Sequence, residues 1–417
     1  MPVTGERSAP FQRMSALTAA LAVWGPGLLV MLADTDAGNV VTAAESGMRW
    51  GYRLLPLILL LIPLLYMVQE LAVRLGLFGG CGFAGLVRRH FGAAWAWLAV
   101  AALGVATLGS LVTELTGIAG VGDLYGAPRW LVLPLAAACL LLVVLTGEHR
   151  RVERIAIAIG LFEVSFFLVA WAADPQPAAI LRDVADQRLA DPNYLYLGAA
   201  LIGATFNPWM VFYQASALAE KKLGAAHYGA ARTDTAVGAV LTQLVTAAVL
   251  VAAAATIGGG RMQSSLESVG QISEALTPLL GGTIGRVVFG VGVVGAAMVA
   301  AIVCSLAFVW SVGEAAGLRR PAGHRVVHGG WFHAGSVACV GGSAVVVLRV
   351  NDLVWLSVAT QVLNALLLPL VVAMLVVLAA TALPPAVRLR GAYLWLVAGT
   401  AALVSAAGLI GAVAGLS

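Results

Sequence analysis

The sequence predicts an all-α, polytopic membrane protein whose two halves repeat a common plan. The prediction rests on three features. Of the 417 residues, 61% are hydrophobic and 11% are charged, whereas a soluble domain carries roughly 25% charged residues. Apolar runs of about 20 residues, long enough to cross a bilayer as helix, recur from end to end. Two of these runs, one opening each half, are interrupted at mid-span by residues that a continuous membrane helix carries only at a cost.

Taken in order, the apolar runs give eleven spans near 16–47, 53–76, 93–121, 129–147, 153–173, 194–219, 231–257, 284–313, 333–350, 353–381 and 391–415. No soluble domain fits between them. One membrane domain over 1–417 is expected, with repeats at about 16–173 and 194–381 and an additional helix at 391–415. Loop charge orients the map, because cytoplasmic loops are enriched in Lys and Arg. With the N-terminus inside, Arg7, Arg13, Arg74, Arg88, Arg89, Arg150, Arg151, Arg154, Lys221, Lys222, Arg232, Arg319, Arg320, Arg325, Arg388 and Arg390 lie inside, 16 of the 24 basic residues. The loop before the sixth span is acidic, with Asp174, Asp183, Asp186 and Asp191. An odd count of spans then places the C-terminus outside. Tryptophans such as Trp50, Trp95, Trp130, Trp171, Trp331 and Trp355 fall near span ends, as in an interfacial belt. Trp209 is the exception, deep in the sixth span.

The first span reads Gly25-Pro26-Gly27, an apolar run, then Ala33-Asp34-Thr35-Asp36-Ala37-Gly38-Asn39. One charge at a helix centre costs about 2.5–3.5 kcal/mol on the lenient insertion scale. The sixth reads Gly203-Ala204-Thr205-Phe206-Asn207-Pro208-Trp209, and Pro208 removes a backbone donor and clashes with the preceding turn. Both are expected to unwind at mid-membrane. Paired discontinuous helices at matching positions point to a transport site built on inverted repeats. Unwinding frees carbonyls that lipid cannot satisfy. A cation can satisfy them, helped by Asp36 and the amides of Asn39 and Asn207. Packing kinks alone would account for one such interruption more readily than for two.

Other function classes find little support. The basic residues form no dense patch for nucleic acid, and no HExxH or GxSxG motif suggests an enzyme. Cys81, Cys139, Cys304 and Cys339 form no CxxC or zinc spacing; small buried hydrophobes are expected, since Cys is among the most buried residue types.

At the interruptions the sequence resembles the Nramp family of divalent-metal transporters. The family's Asp-Pro-Gly-Asn, Thr, Gly and Gly-Tyr series appears as Asp36-Ala37-Gly38-Asn39, Thr42, Gly47 and Gly51-Tyr52. The second span ends in Gln69 through Gly76 (QELAVRLG), the Gly147–Glu153 stretch GEHRRVE resembles the family's G-x-R-K-L-E turn, and the tenth span offers Gln361-Val362-Leu363 and Pro369. The resemblance implies a LeuT-type fold of two inverted five-helix repeats plus an eleventh helix, with helices one and six broken. It implies metal ligands at Asp36, Asn39, the carbonyls of Ala33 and Ala204, Asn207, and Gln361 in some states. No resident cofactor is implied. The partners are a divalent ion as substrate and the lipid bilayer, with no nucleic acid, in a monomer or loose homo-oligomer.

The departures are informative. The family's Met-Pro-His is Asn207-Pro208-Trp209 here. A thioether favours transition metals, whereas an amide oxygen suits hard ions. Helix three of the family carries two acids three apart, and here those positions are Glu114 and Gly117. Trp209 cannot relay a proton, and Gly117 cannot hold one. This pattern resembles the Nramp-related magnesium transporter branch, so Mg²⁺ and Mn²⁺ are expected first, moved by alternating access without obligatory proton coupling. Entry down the membrane potential supplies roughly 4.6 kcal/mol per 100 mV for a divalent ion. Asp34, Glu45, Glu114 and Glu163 are further candidates for a vestibule or relay. For Glu163 a buried ion pair is the leading expectation, and Glu45 and Glu70 read as interfacial carboxylates. The alternatives are a proton-coupled Mn²⁺ or Fe²⁺ importer routed through Asp34, Glu114 or Glu163, a LeuT-fold carrier of a small organic solute, and a membrane scaffold. The Ala-, Gly- and Arg-rich composition suggests a bacterial cytoplasmic membrane.

Overall fold

Helices account for the chain's predicted spans in a computed structural model that describes residues 26–146, 161–221, 225–256, 282–318 and 330–415. The Gly147–Glu153 turn, the first residues of spans one and five, and many of the basic loop residues lie outside that set. The helices are α1 (Pro26–Asp34), α2 (Ala37–Trp50), α3 (Leu55–Phe78), α4 (Phe83–Phe91), α5 (Ala93–Leu124), α6 (Arg129–Thr146), α7 (Ser165–Ala172), α8 (Pro177–Ala185), α9 (Pro192–Thr205), α10 (Pro208–Glu220), α11 (Tyr228–Thr256), α12 (Gly282–Ala316), α13 (Gly330–Arg349), α14 (Leu353–Thr381) and α15 (Gly391–Ala414). Among the described residues, seven helices are long and apolar enough to cross a membrane, counting α9 and α10 as one. The chain is an integral membrane protein.

Spans one and six are each two helices, α1 with α2 and α9 with α10, as the interruptions predict. Proline marks the entry to α8, α9 and α10, where a missing N–H is no loss. Pro63, Pro134 and Pro369 sit inside α3, α6 and α14, which neighbouring helices in a membrane tolerate. Two helices fall in stretches read from the sequence as loops, α4 and α8. Both are nine residues long, too short to register as a span, and α4 is amphipathic with Arg88, Arg89 and His90 in its last turn.

The broken helices lie at the centre. α11 packs along α1, α2 and α3, α12 along α5, and α14 against α9 and α15. Trp95, Trp130, Trp171 and Trp355 are exposed on the outer surface, while Trp209 is fully buried. The cysteines correct an expectation: Cys304 alone is buried, Cys81 and Cys339 are half-buried, and Cys139 is exposed. An apolar helix that faces lipid gives a small side chain no reason to point inward.

Candidate functional site

α1 ends at Asp34 and α2 begins at Ala37. Between them Asp36 takes an extended backbone, and its Oδ1 accepts the Asn39 N–H at 2.7 Å. Asp36 is therefore the N-cap of α2, a position that prefers Asp because a helix start has unsatisfied donors. A second carboxylate serves the same end: Glu114 Oε2, from α5, accepts the Ala37 N–H at 3.2 Å. The N-terminal end of the helix dipole favours both negative charges. The second break repeats the plan, with α9 ending at Thr205, Asn207 extended, and Pro208 opening α10.

Polar side chains join the two breaks. The Asn39 Nδ2 donates to the Asp34 carbonyl at 3.2 Å, and the Thr246 hydroxyl donates to Asn39 Oδ1 at 2.8 Å. Asn207 Oδ1 accepts from the Ser110 hydroxyl at 3.3 Å and from Asn364 Nδ2 at 2.9 Å. The same Asn364 amide donates to Gln361 Oε1 at 2.9 Å. The Trp209 indole N–H donates to Ser110 Oγ at 3.2 Å. Gln361 lies directly over the first break, since a Cβ built on Gly38 would fall 2.1 Å from its Nε2. Every one of these side chains is buried.

Some buried atoms have no partner among the described residues. They include Asp36 Oδ2, both oxygens of Asp34 and both of Glu163, although the Glu114 carboxyl lies within hydrogen-bonding reach of Asp36 and the Thr35 hydroxyl within reach of Glu163. An unpaired buried polar atom costs about 1–3 kcal/mol, and more when charged. Such atoms cluster where a ligand completes the bonding. No group of three or more His, Cys, Asp or Glu side chains with metal-holding geometry occurs among the described residues. An ion placed here would draw on amide and backbone oxygens as well as on a carboxylate.

The sequence-derived candidates divide into two groups. Asp36, Asn39, Asn207, Gln361 and Glu114 come together around the breaks. Ala33 and Ala204 are buried in the last turns of α1 and α9, where helix carbonyls lack intrahelical partners. Trp209 joins them through Ser110, and Gly117 faces Ala37. Glu45 does not belong, because it pairs with Arg49 at 2.5 Å on its own helix, as an interfacial carboxylate would. Glu70 likewise meets Arg74 at 2.7 Å. The ion pair expected for Glu163 is absent among the described residues. It lies within electrostatic reach of Asp34, which is itself within reach of Asp36. Three residues escaped sequence reading: Ser110, Thr246 and Asn364. Their signal was spacing, since Ser110 is four before Glu114 and Asn364 three after Gln361, positions that share a helix face.

The family described as "Natural resistance-associated macrophage protein-like" (Nramp) matches residues 27–414. A Bradyrhizobium diazoefficiens protein named "Divalent metal cation transporter MntH" is 30% identical over 69% of this chain, and the match covers 66% of that relative's length. The chain thus spans just under two thirds of the length of the curated relatives it matches. The fold is similar to that of the Eremococcus coleocola manganese transporter, with a TM-score of 0.76 and 18% identity, covering 96% of this chain and 87% of that one. It is also similar to MHP1, a nucleobase-cation-symport-1 family transporter, with a TM-score of 0.59 and 12% identity, covering 94% and 90%. With two broken helices at the core of a LeuT-type fold and its motifs in family order, the chain belongs to the Nramp family.

Proposed function

We propose that this protein carries divalent metal cations across the membrane by alternating access, taking the hard ions Mg²⁺ and Mn²⁺ first. The relatives named as divalent metal and manganese transporters support the substrate class. The observation that carries the reading is the buried Asp36 carboxylate, whose Oδ2 accepts no bond from a donor and which meets the Glu114 carboxyl, beside two helix breaks whose other neighbouring side chains include amides. Asp36, Asn39, Asn207, Gln361 and the carbonyls of Ala33 and Ala204 would form an oxygen-only shell. Such a shell suits Mg²⁺ and Mn²⁺, and Mg²⁺ sheds water reluctantly enough to keep part of its hydration. Asn207 in place of a thioether supports the resemblance to the magnesium-transporting branch.

Transport proceeds without obligatory proton coupling. Trp209 carries no transferable proton, and its indole N–H is engaged by Ser110. The inverted repeats run over about 16–173 and 194–381, and the N-terminus is cytoplasmic in a bacterial inner membrane, which loop charge supports. The second reading is a proton-coupled Mn²⁺ or Fe²⁺ importer. It draws support from Glu114, which sits at the Ala37 amide beside Asp36.

The test is uptake into proteoliposomes with Mg²⁺ and Mn²⁺ offered separately, internal pH recorded, and Asp36→Ala compared with the wild type. Voltage-driven entry of both ions without acidification, abolished in Asp36→Ala, is expected. Mn²⁺ entry with acidification and no Mg²⁺ entry would establish the second reading. Undiminished flux through Asp36→Ala would remove both.

A further inference from the structure

α4 and α12 cap each other. α4 starts after Gly82, an N-cap with no side chain to offer, and Glu314 on α12 supplies an acceptor instead: its Oε2 accepts the Gly85 N–H at 3.2 Å. In return the Arg88 guanidinium, from the last turn of α4, donates to the Ala315 carbonyl at the end of α12. A carboxylate at a helix start and a cation at a helix end both suit the helix dipole. The approach is close: Gly317 has a φ of +78°, and a Cβ there would lie 2.8 Å from the Arg88 guanidinium carbon.

The third member of the junction is α10, the second half of broken span six. The Ser216 hydroxyl, 1% exposed, donates to Glu314 Oε1 at 3.0 Å. A Cβ on Gly82 would collide with both Ser216 Oγ and Glu314 Oε1, so a glycine is what lets the three helices meet. One turn back along α10, Phe212 packs edge-on against Phe83 of α4 with ring centroids 4.7 Å apart, and Tyr213 stacks on Trp310 of α12 at 5.4 Å. α10 therefore starts at the second break, beside Asn207, and its far end is gripped by α4 and α12. Any swing of α10 away from α12 must give up the Ser216–Glu314 bond and these ring contacts together. Glu314 is half-buried, so water can take over the carboxylate when Ser216 leaves, and the bond can break and reform. We propose that Gly82, Ser216 and Glu314 form a latch: α4 and α12 pin the far end of α10, holding the site closed on the α4 side of the membrane, and release of Ser216 from Glu314 opens it there. The inference rests on the alternating-access reading above and adds the contact that gates one side. Glu314 is a positioning residue, since it acts on the site through α10.

Maleimide alkylation of the full chain in nanodiscs tests this, with two reporters read separately in a Cys139→Ser, Cys339→Ser background; Cys304 is fully buried. Native Cys81, beside Gly82, reports on α4, and Asn207→Cys combined with Cys81→Ser reports on the site. Glu314→Gln and Ser216→Ala each weaken a bond to a charged group, so both reporters should react about tenfold faster than without them. Gly82→Ala, which wedges the junction apart, should act in the same direction. Faster reaction at both reporters supports the latch, and any other pattern overturns it; reaction at Cys81 alone would mean that α4 frays without opening the site. Hydrogen exchange separates the latch from general loss of fold. It should rise across α4 and stay unchanged across α8, and an equal rise in both overturns the proposal. Neither reporter needs a transported ion. Undiminished flux through Asp36→Ala would therefore remove the function proposed above, whereas failure of the latch is read from the alkylation pattern.

Discussion

Ala37 occupies the space in front of Gly117: a Cβ built on Gly117 would lie 2.3 Å from the Ala37 Cβ. α2 and α5 thus touch at the point where the family's pattern has a second acid. Two small residues meet there, and no carboxylate fits without moving the break. Gly117→Glu is expected to destabilise the protein by roughly 1–3 kcal/mol through overpacking, even though glycine in a helix interior costs about 0.5–1 kcal/mol relative to alanine. Thermal unfolding in detergent checks this. Adding Ala37→Gly should recover part of the loss, and the single variant should gain no proton uptake.

Asn207→Met places a thioether at the second break. The expected outcome is a shift of at least about tenfold, or 1.4 kcal/mol, toward Mn²⁺ and Cd²⁺ over Mg²⁺. Competition of each ion against Mn²⁺ uptake reads it directly. An unchanged ranking would mean that Asn207 does not touch the ion.

Asn364 donates to Asn207 and Gln361 at once, holding one amide from each side of the site. Asn364→Leu removes both donors and leaves two buried oxygens short of a partner, each worth about 1–3 kcal/mol. The KM for Mg²⁺ should rise several-fold with modest loss of maximal rate. Ser110→Ala, which frees the Trp209 indole and one bond to Asn207, should act in the same direction and more weakly. The two effects should combine less than additively, since both act through Asn207.

A clasp joins the α2–α3 turn to α8. Arg53 donates to the Asp186 carboxylate at 2.8 Å and approaches Asp183 at 3.8 Å, while Arg188 also reaches Asp186 at 2.8 Å. The hydrogen bonds from Arg53, then Arg188, hold Asp186 below the ordinary carboxylate range. A depressed group stabilises above its unfolded value, about 3.9, and loses its contribution as pH falls through the lower folded value. The clasp should therefore hold unchanged across neutral pH and loosen only in strong acid. Hydrogen exchange of Pro177–Ala185 against pH checks this, and Arg53→Ala should raise that exchange at every neutral pH tested.

Much of this was legible in the sequence because the costs were visible there. Asp36, Pro208 and Asn207 stand out in apolar runs, and each marks a break that the structure contains. Spans two, three and ten were legible by length alone. α4 and α8 were not, because nine residues with mixed polarity look like any loop. The partners of Asp36 and Asn207 were hidden for another reason. Ser110, Thr246 and Asn364 are ordinary helix residues singly, and only the packing of α5, α11 and α14 around the breaks brings them together. No charge pairs with Glu163 among the described residues, and burial by itself does not say which charge, if any, lies opposite.

Asp36 divides its two oxygens between two tasks. One holds the start of α2 through the Asn39 amide, and the other accepts no bond from a donor and is the oxygen that the proposed function assigns to an ion. A carboxylate used this way grips with a single tooth. On the proposed function, such a hold forgoes the long residence of a chelated ion, and a carrier that must let go on every cycle would gain from a hold that is specific in its geometry and brief in its duration.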